Sequence, residues 1–401
     1  MKEYNRVYAK IDLDAIKYNM EQMKERIGDG AQMIAVIKSD GYGHGSVPVA
    51  ELFENTDYVW GYATACLDEA EVLRNARIKK KILVLGCVFP DQYEELLRRE
   101  IRPTVYMKEN AEELSKLAAS MSKTAWIHIK IDTGMGRIGF PVSEKSADEI
   151  AAIAKLPNIK IEGMFTHFAK ADETDKSFTK MQHEKFLQMI EMLKERGVEI
   201  PFLHCDNSAG IIDFPNMKHD VVRAGISLYG LYPSEEVDQN AITLKPAMEL
   251  ISHVTFVKEV EAGTPISYGG TYITPKRMKI ATVPVGYGDG YSRKLSNISE
   301  VLIHGKRAKI VGRVCMDQFM VDVTEIEDVK FMDQVTLIGS DGDECITVEE
   351  LSDKCGRFNY EFICCLSKRI PRVYTKNGEI VRQMDYFSRT KTYYLTKYAE
   401  D

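Results

Sequence analysis

Apolar positions in the first 230 residues recur in one arrangement: a short apolar run, a polar break, then a longer stretch with helical spacing. The runs Gln32–Ile37, Tyr58–Tyr62, Ile82–Leu85, Arg102–Val105, Ala125–Ile131, Lys160–Thr166, Pro201–His204 and Asp220–Arg223 read as strands. Between them, Leu67–Arg77, Asp91–Arg99, Glu109–Ser120, Ser143–Lys155 and Lys176–Arg196 place apolar side chains three and four residues apart, as a half-buried helix requires. Strands alternating with helices of this length pair in parallel through crossover connections. Eight such units predict a closed (β/α)8 barrel, with an open doubly wound sheet as the competing arrangement. Beyond Tyr232 the texture changes. Pro233–Pro246 reads as loop, and then strand-like runs dominate: Ser252–Val260, Ile280–Val285, Val301–Ile303, Arg307–Val314, Phe319–Val323, Val335–Ile338 and Ile370–Val373, with one helix at Thr347–Lys354. The pattern predicts an α/β protein of two domains, a barrel over residues 1–240 and a mostly β domain over 241–401.

Composition narrows the function. A formal net charge of −7 argues against a nucleic-acid partner, whose phosphates would need a basic face. No apolar run approaches the length needed to cross a bilayer, and Met1 to Lys10 is charged rather than leader-like, so cytoplasmic residence is the expectation. The eight cysteines are scattered apart from the Cys364–Cys365 pair, and no Cys/His spacing suggests a metal site, so no metal is expected.

Candidate chemistry sits at the carboxyl ends of the barrel strands, where active sites of this fold are built. Lys38, Lys130 with Arg137 beyond it, His167, His204 and Arg223 all end strands there. A lone histidine at a strand end is commonly a satisfied structural residue, but several cationic or imidazole groups on one face point to an anionic ligand. Lys38 ends an apolar strand and precedes a glycine-rich turn; it reads either as a solvated lysine or as a partly desolvated amine able to form a Schiff base. The loops Asn207–Gly210 and Ala224–Ser227, after strands seven and eight, read as a phosphate site, against the plainer reading of two polar caps. A phosphate-bearing aldehyde cofactor on Lys38 reconciles both readings.

The segment Ala35-Val36-Ile37-Lys38-Ser39-Asp40-Gly41-Tyr42-Gly43-His44-Gly45 resembles the pyridoxal-phosphate attachment signature of bacterial alanine racemases. The resemblance continues, in order, through Lys130–Arg137, Thr166–Phe168, Asn207–Ala209, Arg223–Ile226, Ser267–Gly269, Gly286–Gly290, Cys315–Asp317 and Arg369–Tyr374. It implies pyridoxal 5'-phosphate held by Lys38, which also serves as one base, with Tyr268 as the base on the opposite face. It implies Tyr42, Ser208, Gly225, Ile226 and Tyr360 around the phosphate, Arg223 at the pyridine nitrogen with His204 orienting it, and His167 packed on the ring. Arg137 and the Met316 backbone would meet the substrate carboxylate, and Tyr287 would line the entrance. A homodimer with shared active sites, a small amino-acid substrate and L-alanine to D-alanine racemisation follow from the same resemblance.

Racemisation removes a proton from one face and returns one to the other, so two bases must flank the reacting carbon. A lysine and a tyrosine need their ordinary pKa values lowered for this, and a cationic environment with partial burial would supply the change. Arginine at a pyridine nitrogen does not surrender its proton, which would leave that nitrogen unprotonated and limit transamination. Lys130 reads as a barrel-interior ammonium beside Arg137, either paired with a carboxylate such as Asp132 or converted to a carbamate, as members of the family do. Ser39 and Gly41 stand where alanines are usual, Asp206 where a small apolar residue is frequent, and Gly288 where alanine is common. These departures leave a serine preference open, and a related decarboxylase, with Cys315 donating the final proton, is the alternative reaction. A non-catalytic cofactor-handling protein is a further alternative, disfavoured by residues 245–401.

Overall fold

The computed structural model describes residues 2–387 of the chain. It divides into two units, one comprising Ala15–Pro246, the other built from the described parts of residues 1–14 and 247–401. This differs from the expected partition at its start, because β1 (Val7–Asp12) joins the β unit rather than the barrel. Residues 388–401 of the expected second domain lie outside the described residues.

The barrel strands are β2 (Gln32–Val36), β3 (Val59–Thr64), β4 (Lys81–Val84), β5 (Arg102–Val105), β6 (Ala125–Asp132), β8 (Ile159–Phe165), β9 (Phe202–His204) and β10 (Val221–Ala224), with a two-residue β7 (Phe140–Pro141) beside β6. All eight predicted strands are present, and they run parallel in the order β10-β2-β3-β4-β5-β6-β8-β9. Between β9 and β10 the ladder is missing. Those two strands meet through the Arg223 N–H, which donates to the Asp206 carbonyl at 3.0 Å, and the Leu203 N–H, which donates to the Asp220 carboxylate at 2.8 Å.

Strands flanked by helices on one side and barrel interior on the other are apolar on both faces, which is why Met33, Ile34, Ala35 and Val36 form an unbroken buried run. Full burial of one such large aliphatic side chain contributes about 1.5–3 kcal/mol. The outer helices carry the complementary stripe. In Ser177–Glu195, Phe186, Met189, Ile190 and Leu193 are buried at i, i+3, i+4 and i+7. The helix Glu144–Ala154 is capped by the Ser143 side chain, which accepts from the Ser146 N–H. Among the described residues no helix is long and apolar enough to cross a membrane.

In the β unit the main sheet contains β11 (Met248–His253), β16 (Glu300–Ile303), β17 (Lys306–Lys309), β19 (Gln334–Asp341), β20 (Glu344–Ile346), β21 (Arg372–Lys376) and β22 (Glu379–Met384) together with β1. A second sheet pairs β12 (Phe256–Val260), β15 (Met278–Val283) and β18 (Phe319–Asp322), and a two-stranded ribbon pairs β13 (Pro265–Ile266) with β14 (Tyr272–Ile273). The predicted strand Ser252–Val260 is two strands, broken after His253, which lets the chain pass from one sheet to the other. Beyond the expected helix, here Val348–Cys355, lies a further short helix, Asn359–Cys364.

The first strand lies at the centre of the main sheet, antiparallel to β11 and parallel to β21. Its residues alternate strictly: Val7, Ala9 and Ile11 are buried and Tyr8, Lys10 and Asp12 are only partly so. With both neighbours lost or distorted, the sheet would split. Ile11→Ala should therefore cost about 2–5 kcal/mol, read as a lowered denaturant midpoint; a shift worth less than 1 kcal/mol, the size expected for a frayed terminal strand, would overturn this placement.

Candidate active site

The turn after β2 is built with the opposite hand to an ordinary helix. Ser39, Asp40, Gly41, Tyr42 and Gly43 all have φ between 51° and 80°, a conformation that costs an L-residue roughly 1–2 kcal/mol. Hydrogen bonds hold it there: the Ser39 N–H donates to Glu69, the Gly41 N–H to the Ile37 carbonyl, the Gly45 N–H to the Asp40 carbonyl, and the Ser46 N–H and hydroxyl to the Asp40 carboxylate. Gly41 fits closely here, with φ of 63° and an added Cβ standing 3.2 Å from the Ser46 nitrogen. The turn leaves Lys38 half-buried at the strand end, its Nζ 6.0 Å from the Tyr42 ring centroid.

Tyr42 is packed against Tyr229 (ring centroids 5.1 Å). Ser208 opens the short helix Ser208–Asp213, whose N-cap Asn207 accepts from the Gly210 N–H. The Ser208 hydroxyl oxygen accepts from the Gly225 N–H at 3.0 Å and the Ser227 N–H at 3.3 Å, so its own proton remains the donor. A Cβ on Gly225 would sit 3.4 Å from the Ser208 Oγ and 3.5 Å from the Tyr42 hydroxyl. Ile226 is buried directly beyond. Hydroxyls from β2 and β9 loops and backbone from the β10 loop thus share one small space, which is the makeup of an oxyanion cradle.

Arg223 is buried beside this space, and every contact it makes constrains its neighbours. Its Nη2 donates to the Thr166 and Cys205 carbonyls, both at 2.8 Å, and its Nη1 to His204 Nδ1 at 2.8 Å. His167 Nδ1 lies 3.3 Å from Nη2. A guanidinium has only donors, so His204 must present a lone pair at Nδ1 and carry its proton on Nε2. That proton points at His128 Nδ1, 3.0 Å away. His128 then carries its own proton on Nε2, which faces the Glu162 carboxylate at 3.6 Å. Burial holds His128 and His204 below the ordinary histidine range, and Arg223 pushes His204 further down. Both rings are therefore neutral links in a one-way chain from Arg223 to Glu162. Burial also lowers the Arg223 guanidinium to about 10, still charged at neutral pH.

The sequence alone gives no reason to single out His128 or Glu162, the residues beyond His204 in this chain. Glu162 is nearly buried yet sits 2.7 Å from the Lys81 ammonium and 3.0 Å from the Arg102 Nε. Asp206, noted as a departure, is fully buried with one carboxylate oxygen lacking a partner, and burial raises it to about 7.

Lys130 is buried with its ammonium donating to the Ile131 carbonyl at 2.7 Å and lying 5.6 Å from the Phe165 ring centroid. Desolvation, then repulsion from Arg223, lowers it to about 7, with Arg137 acting in the same direction. Asp132, the carboxylate named in the alternative to a carbamate, accepts the Gly134 and Gly136 N–H groups in the turn that follows β6. Arg137 stands exposed beyond that turn. His167 is pushed well below the ordinary range by burial and by the nearby Arg223, Arg137, Lys130 and Lys38 charges.

A second group of predicted residues forms one surface of the β unit. Tyr268 begins a short 3-10 turn after Ser267, whose hydroxyl donates to the Arg313 carbonyl at 2.6 Å and lies 3.4 Å from the Cys315 Sγ. The Tyr287 N–H donates to the Cys315 carbonyl at 3.0 Å and the Gly288 N–H to the Met316 carbonyl at 2.9 Å. A Cβ at Gly288 would displace the Arg369 Nη1, 2.5 Å away, and stand 3.0 Å from the Met316 carbonyl oxygen. Tyr268 (69%), Met316 (52%) and Tyr287 (42%) are all strongly exposed, an apolar and aromatic patch of the kind that marks an interaction surface. Tyr360 is carried separately on the helix Asn359–Cys364, with its ring stacked on Phe358.

The alanine racemase N-terminal domain family matches residues 11–233, and the alanine racemase C-terminal domain family matches residues 247–374. The chain belongs to the alanine racemase family. Among its relatives, the alanine racemase of Desulforamulus reducens is 45% identical over 92% of this chain and 98% of that protein, and that of Methanococcus maripaludis is 47% identical over the same shares. Among solved alanine racemases, the Clostridium difficile 630 structure superposes with a TM-score of 0.93 at 41% identity, covering 96% of this chain and 100% of that one. The Bacillus anthracis structure with bound L-Ala-P superposes at 0.90 and 40% identity, covering 96% and 99%.

Glu162 supplies a pH signature. Desolvation alone would raise it, but the His128 ring facing it, the Lys81 ammonium and the Arg102 guanidinium together outweigh that and lower it from 4.5 to about 2. A lowered folded-state pKa contributes stability above the unfolded value and loses it as pH falls through the folded one, here between pH 4.5 and about 2. Glu162→Gln should cost about 2–3 kcal/mol at neutral pH, and its deficit against wild type in denaturant unfolding should shrink across that acid window. A deficit independent of pH would contradict the assignment.

Proposed function

We propose that the chain interconverts L- and D-alanine with pyridoxal 5'-phosphate, as a cytoplasmic homodimer. The observation that carries this reading is the sharing of one barrel mouth by an amine at the end of β2, a cradle for an oxyanion, and a buried guanidinium. The residues fit the cofactor. Ser208, Gly225, Ile226 and Tyr42, with Tyr360 from the β unit, would hold its phosphate, and the absent side chain at Gly225 leaves room for it. Arg223 would face the pyridine nitrogen, His167 would pack on the ring, and Lys38 would bind the aldehyde carbon. When bound, the cofactor acidifies the α C–H bond of an amino acid by withdrawing its electrons.

The chain's own groups then divide the work. Lys38 and Tyr268 take and return the α-proton on opposite faces. Arg137 and the Met316 backbone N–H hold the substrate carboxylate, and Tyr287 lines the entrance. Arg223 keeps its proton, since it remains charged at neutral pH and its donors are fixed by carbonyls and by two neutral imidazoles. The strong exposure of Tyr268, Met316 and Tyr287 supports a dimer in which a partner barrel covers them, because a phenol open to water is a poor proton-transfer group. Cys315 makes its contacts to Ser267 and Arg313 while Tyr268 points outward, which favours the phenol as proton carrier over a cysteine-based decarboxylase.

Lys130 takes part as a carbamate. An amine lowered to about 7 is largely unprotonated just above neutrality, the form that attacks carbon dioxide, and the product would exchange a repulsive neighbour of Arg137 for an attractive one.

Chiral chromatography of products from L-alanine should yield D-alanine with the purified protein; carbon dioxide release without D-alanine would refute the reading. Tyr268→Phe should lower racemisation by roughly 10²–10⁴-fold while solvent deuterium still enters one enantiomer but not the other; equal loss of exchange from both would oppose a two-base division. Incubation with isotopically labelled bicarbonate should give one carbamate signal per chain by NMR, absent in Lys130→Met.

A further inference from the structure

We propose that His183, Cys205 and His219 form a binding site for Zn2+ on the outer side of the barrel. The three come from separate elements: His183 from the helix Ser177–Glu195, Cys205 from the residue after β9, and His219 from the approach to β10. Their separation in sequence, 22 and 14 residues with no short motif, is why spacing suggested no metal site.

The donor atoms of all three lie within 4.8 Å of one another. The two imidazoles face each other through Nε2 at 3.2 Å. Tetrahedral zinc with bonds of about 2.0–2.1 Å to nitrogen sets two such atoms about 3.3 Å apart, and with a bond of about 2.3 Å to sulfur sets nitrogen and sulfur about 3.6 Å apart. The rings already have the required separation, and the thiol need move inward by about 1.2 Å at most. One Nε2 now carries a proton toward the other. With both rings as Nδ1–H tautomers, both lone pairs enter the same space, and zinc takes the position of that shared proton while the thiol releases its own to solvent. Two imidazoles and a thiolate select a borderline cation over Mg2+ or Ca2+, which take oxygen donors. Three protein ligands leave the fourth position to water, and His183 and His219 are only half-buried, so the ion has a route in. Cys205 is fully buried, and its Sγ lies 3.6 Å from the Asp206 Oδ1, whose companion oxygen lacks a partner.

The place of the site in the fold gives it a consequence. Zinc would tie the end of β9 to the approach to β10, the pair of strands that the ladder leaves open, and would anchor both to the helix outside. The Cys205 carbonyl holds Arg223 at 2.8 Å, so the same ion would fix one wall of the Arg223 pocket.

The test uses the full chain as purified with its cofactor, stripped by a chelator and dialysed, then titrated with Co2+ and competed with Zn2+. We expect one Co2+ per chain, with the ligand-field bands of a four-coordinate site and a thiolate charge-transfer band, both abolished by Zn2+. Zn2+ should also raise the melting temperature. His183→Gln and His219→Gln should each weaken binding by roughly 100-fold or more, since losing even an outer-shell partner costs 10–100-fold, and should remove the thermal shift. Cys205→Ser should remove the charge-transfer band; if that variant does not fold, His183→Gln, at a half-buried helix position, decides alone. Absence of the bands in wild type, or their persistence unchanged in His183→Gln, would overturn the proposal, the latter placing the ion on other thiols.

Discussion

The guanidinium of Arg223 governs the centre of this molecule. A cation this deeply buried is tolerable only with hydrogen-bond partners, and here Nη1 and Nη2 find carbonyls from the ends of β8 and β9 and imidazoles on both sides. Because arginine only donates, its presence sets the proton on His204, which sets the proton on His128, which turns its remaining N–H toward Glu162. One charge therefore fixes the tautomers of two rings and explains why an acid with three basic neighbours lies within the barrel wall. Burial first, and then the same charge acting through a dry interior, hold His167 and Lys130 below their ordinary ranges.

Legibility of the sequence varied with the kind of information each feature carries. Barrel strands such as Gln32–Val36 were readable because they are continuous apolar runs, and position along the chain matches position in the sheet. Lys38, Arg223 and His204 were readable for the same reason: a strand end in a barrel is also an address. The first strand was not, although Val7, Ala9 and Ile11 alternate cleanly, because its partners are some 240 and 360 residues away and alternation names a face without naming a neighbour. Glu162 and His128 were missed because a polar residue in a barrel strand acquires meaning only from what stands across the interior. Gly288 reads as a departure from a pattern, and what crowds it, the Arg369 guanidinium and the Met316 carbonyl, comes from segments distant in sequence.

The two groups of candidate residues differ in kind. Those of the barrel are buried and interlocked by hydrogen bonds, whereas Tyr268, Tyr287 and Met316 stand open on the β unit. A left-handed turn and a network of neutral rings give the first group fixed positions before any ligand arrives, so little ordering entropy is spent on binding. The second group is tied by backbone contacts to Cys315 and Met316, and its side chains stay open to solvent.

The gap in the ladder between β9 and β10 carries a last implication. Cylinders of strands breathe where the fewest bonds cross, and the two lips of this gap lead into Ser208 on one side and Gly225 on the other. An anion lodged between those loops acts as a stitch across the weakest joint. Nicking by proteases and amide exchange along Phe202–His204 and Val221–Ala224 would then report occupancy of the mouth, making the slackest part of the cylinder its most sensitive gauge.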